Sequence, residues 1–178
     1  VTGSDVCSSD LSAESAEPTL FIFDEPTTGL HFHDIDVLLS AIDKLIGKGT
    51  LYYTEDHDGN REYATTNAGR TELEYVVLIN GNSASCSEIL AGGIKDNNEA
   101  KLVGTVSYGK GIIQSSQMLA DGSAIKLTMW QYFSPAGNQI HKNGVSPDYV
   151  VELTPECYSD DGELISDLQL NKALELLR

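Results

Sequence analysis

Apolar and polar positions divide the chain into stretches of different pattern. Residues 1–18 are rich in Ser, Thr, Glu and Asp with no apolar period. Such a composition cannot offset the entropy of ordering, so it reads as a disordered tail. Leu20-Phe21-Ile22-Phe23 is a short apolar run closed by Asp24-Glu25-Pro26. Ile35, Leu38, Leu39, Ile42, Leu45 and Ile46 then recur at helical spacing, and Gly47 and Gly49 end the helix. From residue 50 the pattern changes. Residues 51–54 and 61–64 flank Asp56-His57-Asp58-Gly59-Asn60, a hairpin signal. Residues 74–80 predict a buried strand. Residues 85–97 predict a helix with Ile89, Leu90 and Ile94 inward, where Ala91, Gly92 and Gly93 allow close packing. Residues 101–104 form a short strand, and 118–120 with 124–132 bracket Asp121-Gly122 as a second hairpin. Residues 164–177 space their Leu and Ile as an amphipathic helix, and acidic residues 157–163 are expected to be a solvated linker to it.

A length of 178 residues suits one domain, or one and a fraction, with 40% hydrophobic and 21% charged residues as in ordinary globular proteins. The formal charge of −16 argues against nucleic acid or an anionic membrane as partner, because phosphate recognition needs clustered Lys and Arg. Cys7, Cys86 and Cys157 are an odd, widely spaced set that matches no metal pattern and reads as isolated thiols. No run reaches the roughly 18 apolar residues of a membrane helix, and residues 1–19 lack the charged-then-apolar order of a signal peptide.

Candidate chemistry concentrates in two places. Ser83, Ser85 and Ser87 alternate where the strand ending at residue 80 turns into the next helix. Ser85, three residues before Glu88, makes a capping box. A serine there could equally be a nucleophile, since free N–H groups at a helix start face developing negative charge. In that case the Cys86 N–H is the natural oxyanion donor. A base must come from elsewhere. His31 and His33 lie in the preceding segment, His57 in a turn and His141 in a polar loop, and none has a sequence neighbour that completes a Ser-His-Asp triad. Lys110, between Gly109 and Gly111 at the entry to a strand, reads as either a solvated turn lysine or a base. A lysine acts as a base only when neutral, which demands a closed, dry pocket.

The second place is the strand 20–23, which ends in Asp24 and Glu25 as a Walker B strand does; there the first carboxylate holds Mg²⁺ and the second polarises water. Gly104-Thr-Val-Ser-Tyr-Gly109-Lys110-Gly111 nearly fits a phosphate-binding loop. However, Gly111 stands where a metal-binding hydroxyl is required, and the order along the chain is reversed. Residues 19–47, with their Asp-Glu-Pro-Thr-Thr-Gly-Leu-His core, resemble the UvrA-type excision-repair ABC ATPase of bacteria. That resemblance implies Asp24 as Walker B carboxylate and Glu25 as its catalytic partner, vestigial here because no signature motif accompanies them. Residues 1–11 resemble a translated sequencing adapter.

Residues 50–155 resemble the tail-specific, or C-terminal processing, serine peptidases. The matching blocks are Val76-Val77-Leu78-Ile79-Asn80-Gly81-Asn82-Ser83-Ala84-Ser85-Cys86-Ser87-Glu88-Ile89, Val103-Gly104, Tyr108-Gly109-Lys110-Gly111 with Gln114, Asp121-Gly122-Ser123-Ala124, Lys126-Leu127-Thr128, Ser134-Pro135-Ala136-Gly137 and Gly144-Val145-Ser146-Pro147-Asp148. The resemblance implies Ser85 as nucleophile, Lys110 as general base, Gln114 as the residue orienting the lysine, and Cys86 N–H as one half of the oxyanion hole. Cys86 replaces the family's usual alanine, a change that leaves the N–H in place.

It further implies peptide-bond hydrolysis through an acyl-enzyme with no cofactor or metal. Substrates are proteins or peptides with accessible C-terminal tails, outside the cytoplasm in most bacterial relatives. The fold class implied is α/β, an incomplete ClpP/crotonase-like core preceded by an orphan βα unit of P-loop ATPase type. The expected organisation is a tail over 1–18, the ATPase-like unit over 19–49, the peptidase core over 50–155, and the acidic linker and last helix over 156–178. The join falls near Gly49-Thr50, between two unrelated resemblances. The family's upstream PDZ domain and the strand that supplies a second oxyanion donor have no counterpart before it, so weak activity is expected. A peptidase-like module that binds without cleaving and an ATPase fragment are the alternatives.

Overall fold

The computed structural model describes residues 45–67, 72 and 74–178. The tail, the adapter-like residues, the strand 20–23, Asp24, Glu25, His31 and His33 lie outside the described residues. Two sheets organise the rest. The first is antiparallel, in the order β2-β1-β6-β5, from β1 (Gly49–Asp56), β2 (Arg61–Thr66), β5 (Ile112–Met118) and β6 (Ala124–Phe133). The second is parallel, in the order β3-β4-β7, from β3 (Val76–Ile79), β4 (Lys101–Gly104) and β7 (Tyr149–Val150).

Turn chemistry closes the first hairpin. The Asp56 carboxylate accepts from Asp58 N, Asn60 N and Asn60 Nδ2, each at 2.9 Å. The Asn60 bonds hold the Asp56 pKa below its ordinary value. Past the turn, Arg61 pairs with Glu55 at 2.7 Å and lies over the Tyr53 ring. The Tyr53 and Phe133 rings stack at 5.0 Å, and Tyr52 meets Tyr132 edge-on at 5.3 Å, so aromatic pairs fix β1 against β6.

Helix α1 (Cys86–Asp96) joins β3 to β4 and packs against β1 and β4, while α2 (Leu168–Leu176) packs against β3 and β4. The core gathers Leu45, Ile46, Ile79, Ala91, Ile94, Leu102, Ile140 and Val145. Leu45 and Ile46, read from sequence as the end of the ATPase-like helix, are thus buried in this core, and the Tyr75 hydroxyl donates to Leu45 O at 2.5 Å. Thr66 Oγ1 also donates to Gly47 O.

Several expectations change. Strand β3 is not buried throughout. Among the described residues it is the outer strand of a sheet of three, and Leu78 is exposed. The stretch after residue 156 is not a plain solvated linker. Pro155–Cys157 forms a 3-10 turn, Cys157 is buried, and its carbonyl accepts from Ile165 N and Ser166 N. The last helix starts at Leu168 because Asp167 caps it, accepting from Leu170 N at 2.9 Å.

Gly104 ends β4 at φ +132°, and a Cβ there would run into the carbonyl oxygen of Ile79 on the paired strand. We therefore expect Gly104→Ala to separate β3 from β4 and destabilise the protein by about 2 kcal/mol or more, from clash and backbone strain together. Urea unfolding measures this; a loss under about 0.5 kcal/mol, the range of an indifferent surface change, would show that the strands accommodate the methyl group.

Candidate active site

Strand β3 delivers the chain to a tight turn at residues 80–85. Asn80 N donates to Ser83 Oγ at 3.1 Å, Asn82 N donates to Asn80 Oδ1 at 2.9 Å, and Ser83 N donates to Asn80 O at 2.9 Å. Ser85 follows as the N-cap of α1, at φ 57° and ψ −115°. A serine with positive φ carries backbone strain of roughly 1–3 kcal/mol and persists only where its surroundings enforce it. Ser87, Glu88 and Ile89 donate the bonds of this first turn, to Ala84 O and Ser85 O. The Cys86 N–H takes no part in them and is one of the free donors of a helix start. Cys86 is exposed as a free thiol.

The enforcing group is Glu88, which is 0% exposed. Its Oε2 accepts from Ser85 N and from Lys110 N, both at 2.8 Å. Its Oε1 accepts from Gly109 N and from Ser107 Oγ, both at 2.6 Å. One carboxylate therefore ties the strained serine to the loop carrying the lysine. Among the described residues no cation pairs with it, so four donors and the positive end of α1 compensate its charge. Tyr108 N adds a direct link by donating to Ser83 O at 2.9 Å.

The lysine loop is held from its other side by residues 140–145. Lys142 N donates to Gly109 O at 2.9 Å and Ser107 N to Val145 O at 3.1 Å. A side chain at Gly111 would strike the backbone of Ile140 and His141, which accounts for one of the two glycines around the lysine. Lys110 itself is exposed. Gln114 is exposed on β5, where its Nε2 donates to Thr128 Oγ1 across the hairpin at 3.2 Å. Tyr132, on β6, lies near the turn: burial raises its pKa, with smaller contributions from Tyr52 and Cys86. His141 is half-buried and its Nδ1 is without a partner among the described residues.

Of the residues proposed from sequence, Ser85 and Lys110 are thus tied through their backbone amides to one carboxylate, Cys86 follows Ser85 as the first residue of α1, and Gln114 lies on the strand that leaves the lysine loop. What the sequence reading missed was Glu88, taken there only as a capping-box partner. Its signal was positional. Glu88 shares a helix face with Ala91 and Gly92, so the one acidic residue of the helix start belongs to the face that packs inward.

A strained serine at a helix start is thus tied through a buried carboxylate to a lysine loop on a mixed α/β core. The model of peptidase family S41 matches residues 34–151, and the chain belongs to that family. It is 42% identical over 133 residues to the carboxyl-terminal-processing protease of Synechocystis sp., covering 73% of this chain and 30% of that protein. It is 41% identical over 121 residues to carboxyl-terminal-processing peptidase 2, chloroplastic, of Arabidopsis thaliana, covering 66% and 23% respectively. The solved photosystem II D1 C-terminal processing protease superposes with a TM-score of 0.60 at 36% identity, over 72% of this chain and 35% of that one. The chain therefore spans about a third or less of the length of these relatives.

The Glu88 network generates a stability prediction. Glu88→Ala leaves four buried or half-buried donors without an acceptor and should cost about 3–5 kcal/mol. Glu88→Gln, which keeps one acceptor oxygen but turns an NH₂ toward the donors, should cost roughly half as much. Urea denaturation checks both, and an alanine variant within about 0.5 kcal/mol of the parent would remove Glu88 from this role.

Proposed function

We propose that residues 50–155 act as a serine endopeptidase core of the tail-specific type, with Ser85 as nucleophile and Lys110 as general base. The observation that carries this reading is the shared Glu88 carboxylate, which binds the amides of both residues. In this reaction the Ser85 Oγ attacks the scissile carbonyl carbon and passes its proton to Lys110 Nζ. The C–N bond then breaks, the amine leaves with that proton, and water hydrolyses the Ser85 ester. The Cys86 N–H faces the developing oxyanion. Gln114, the third residue of the strand that leaves the lysine loop, orients the lysine once substrate is bound.

The substrates proposed are protein or peptide chains with accessible C-terminal tails, the chemistry named for the relatives. We place the activity outside the cytoplasm, as in the bacterial family at large. Among the described residues no helix is long and apolar enough to cross a membrane. In the organisation we favour, residues 19–47 derive from an ATPase-like segment with a vestigial Asp24-Glu25 pair, and residues 1–11 are adapter-like. The family match begins at residue 34 and Leu45 and Ile46 lie in the core, so these two residues serve the peptidase fold as well.

One observation supports a second reading, a peptidase-like module that binds tails without cutting them. Lys110 is exposed, whereas a neutral lysine base needs a dry wall. An assay on an unstructured peptide with an apolar tail separates the two. The peptidase reading predicts slow cleavage by the full chain that falls at least about 10²-fold in both Ser85→Ala and Lys110→Ala, as expected on removing a nucleophile or base. Tail binding without cleavage in the parent would favour the module. Cleavage that survives either substitution would assign the chemistry to other residues.

A further inference from the structure

Ser107 is not among the groups assigned to the reaction, yet it occupies the junction between the Glu88 carboxylate and the core. It is 7% exposed. Its hydroxyl donates to Glu88 Oε1 at 2.6 Å and accepts from Val145 N at 2.7 Å. Its own N–H donates to Val145 O at 3.1 Å. An amide N–H can only donate, so Val145 occupies the acceptor side of the hydroxyl and the single hydroxyl proton points to Glu88. Val145 in turn belongs to the apolar core with Ile140, Leu102 and Ile79. The carboxylate is thereby tied to the apolar core. Without that hydroxyl, Oε1 keeps only the Gly109 N–H, which sits on the same loop as Lys110 and moves with it.

We propose that Ser107 is a positioning residue for the Ser85 and Lys110 pair: it clamps Glu88 to the core so that the remaining lone pairs of the carboxylate hold the serine turn and the lysine loop in fixed relation. The inference rests on the reading of those two residues as nucleophile and base. A purely structural serine would affect stability alone. A positioning one affects the reactivity of Ser85 in molecules that are fully folded.

The test uses the full chain and three variants: Ser107→Ala, Ser107→Thr, which retains the hydroxyl, and Ser134→Ala. Ser134 is a second buried hydroxyl, which accepts from Asn138 N and does not touch Glu88. Two readouts are taken below the unfolding temperature of every variant: the rate at which a fluorophosphonate labels Ser85, as a function of pH, and the amide ¹H–¹⁵N resonances of Ser85, Gly109 and Lys110. Ser107→Ala should slow labelling about 10- to 100-fold, the scale of a small misplacement of reacting groups, and shift all three amides. Ser107→Thr should restore both readouts, and Ser134→Ala should lower the Tm while leaving both at parent values. Parent-like labelling and unshifted amides in Ser107→Ala would overturn the proposal, as would equal effects from Ser134→Ala. Failure of the parent to label would count against the peptidase reading itself. The amide shifts would then decide the clamp alone, their movement supporting it and their constancy overturning it.

Discussion

The organisation of this site depends on a buried carboxylate that pairs with no cation among the described residues. Glu88 accepts from three backbone amides and a hydroxyl that come from two segments more than 18 residues apart in sequence. Charge-assisted bonds of this kind are about twice as strong as neutral ones, and an unmet buried charge is among the costliest defects a fold can carry. The carboxylate therefore acts as an all-or-none device: the serine turn and the lysine loop must both be in place for it to be tolerated. That explains how Ser85 can be held at positive φ. The strain of one residue is offset by bonds that form only when the whole unit closes.

The same frame shows where the site is rigid and where it is open. The backbone of residues 105–111 is locked on one side by Glu88 and Ser83 and on the other by residues 142–145. The side chain of Lys110 nevertheless projects into solvent. Order in the backbone and exposure of the functional amine are separate properties: hydrogen bonds set the first, and the amount of protein covering the lysine sets the second. In this chain the lysine loop is ordered while the lysine it carries is exposed.

Much of this was legible in the sequence because it rests on local rules. The β1–β2 turn follows from Asp56 and Gly59-Asn60, the second hairpin from Asp121-Gly122, and α1 from its capping serine and its small-residue face. Ser85, Cys86 and Lys110 were readable as a motif. The role of Glu88 was not, because its partners Ser107, Gly109 and Lys110 are distant in sequence and donate mostly through backbone amides, which carry no side-chain signature. Burial of Cys157 and exposure of Leu78 were misjudged for a related reason. Each depends on which element covers which sheet edge, and apolar periodicity does not reveal that.

Native-state hydrogen exchange at single amides tests the central claim most directly. If one carboxylate closes the unit, the amides of Ser85, Gly109 and Lys110 should exchange with a common opening free energy. All three should lose protection together in Glu88→Gln, while the Thr105 amide, bonded to Ile79 O, stays protected. Three amides that exchange independently in the parent, or keep their protection without the carboxylate, would contradict the account.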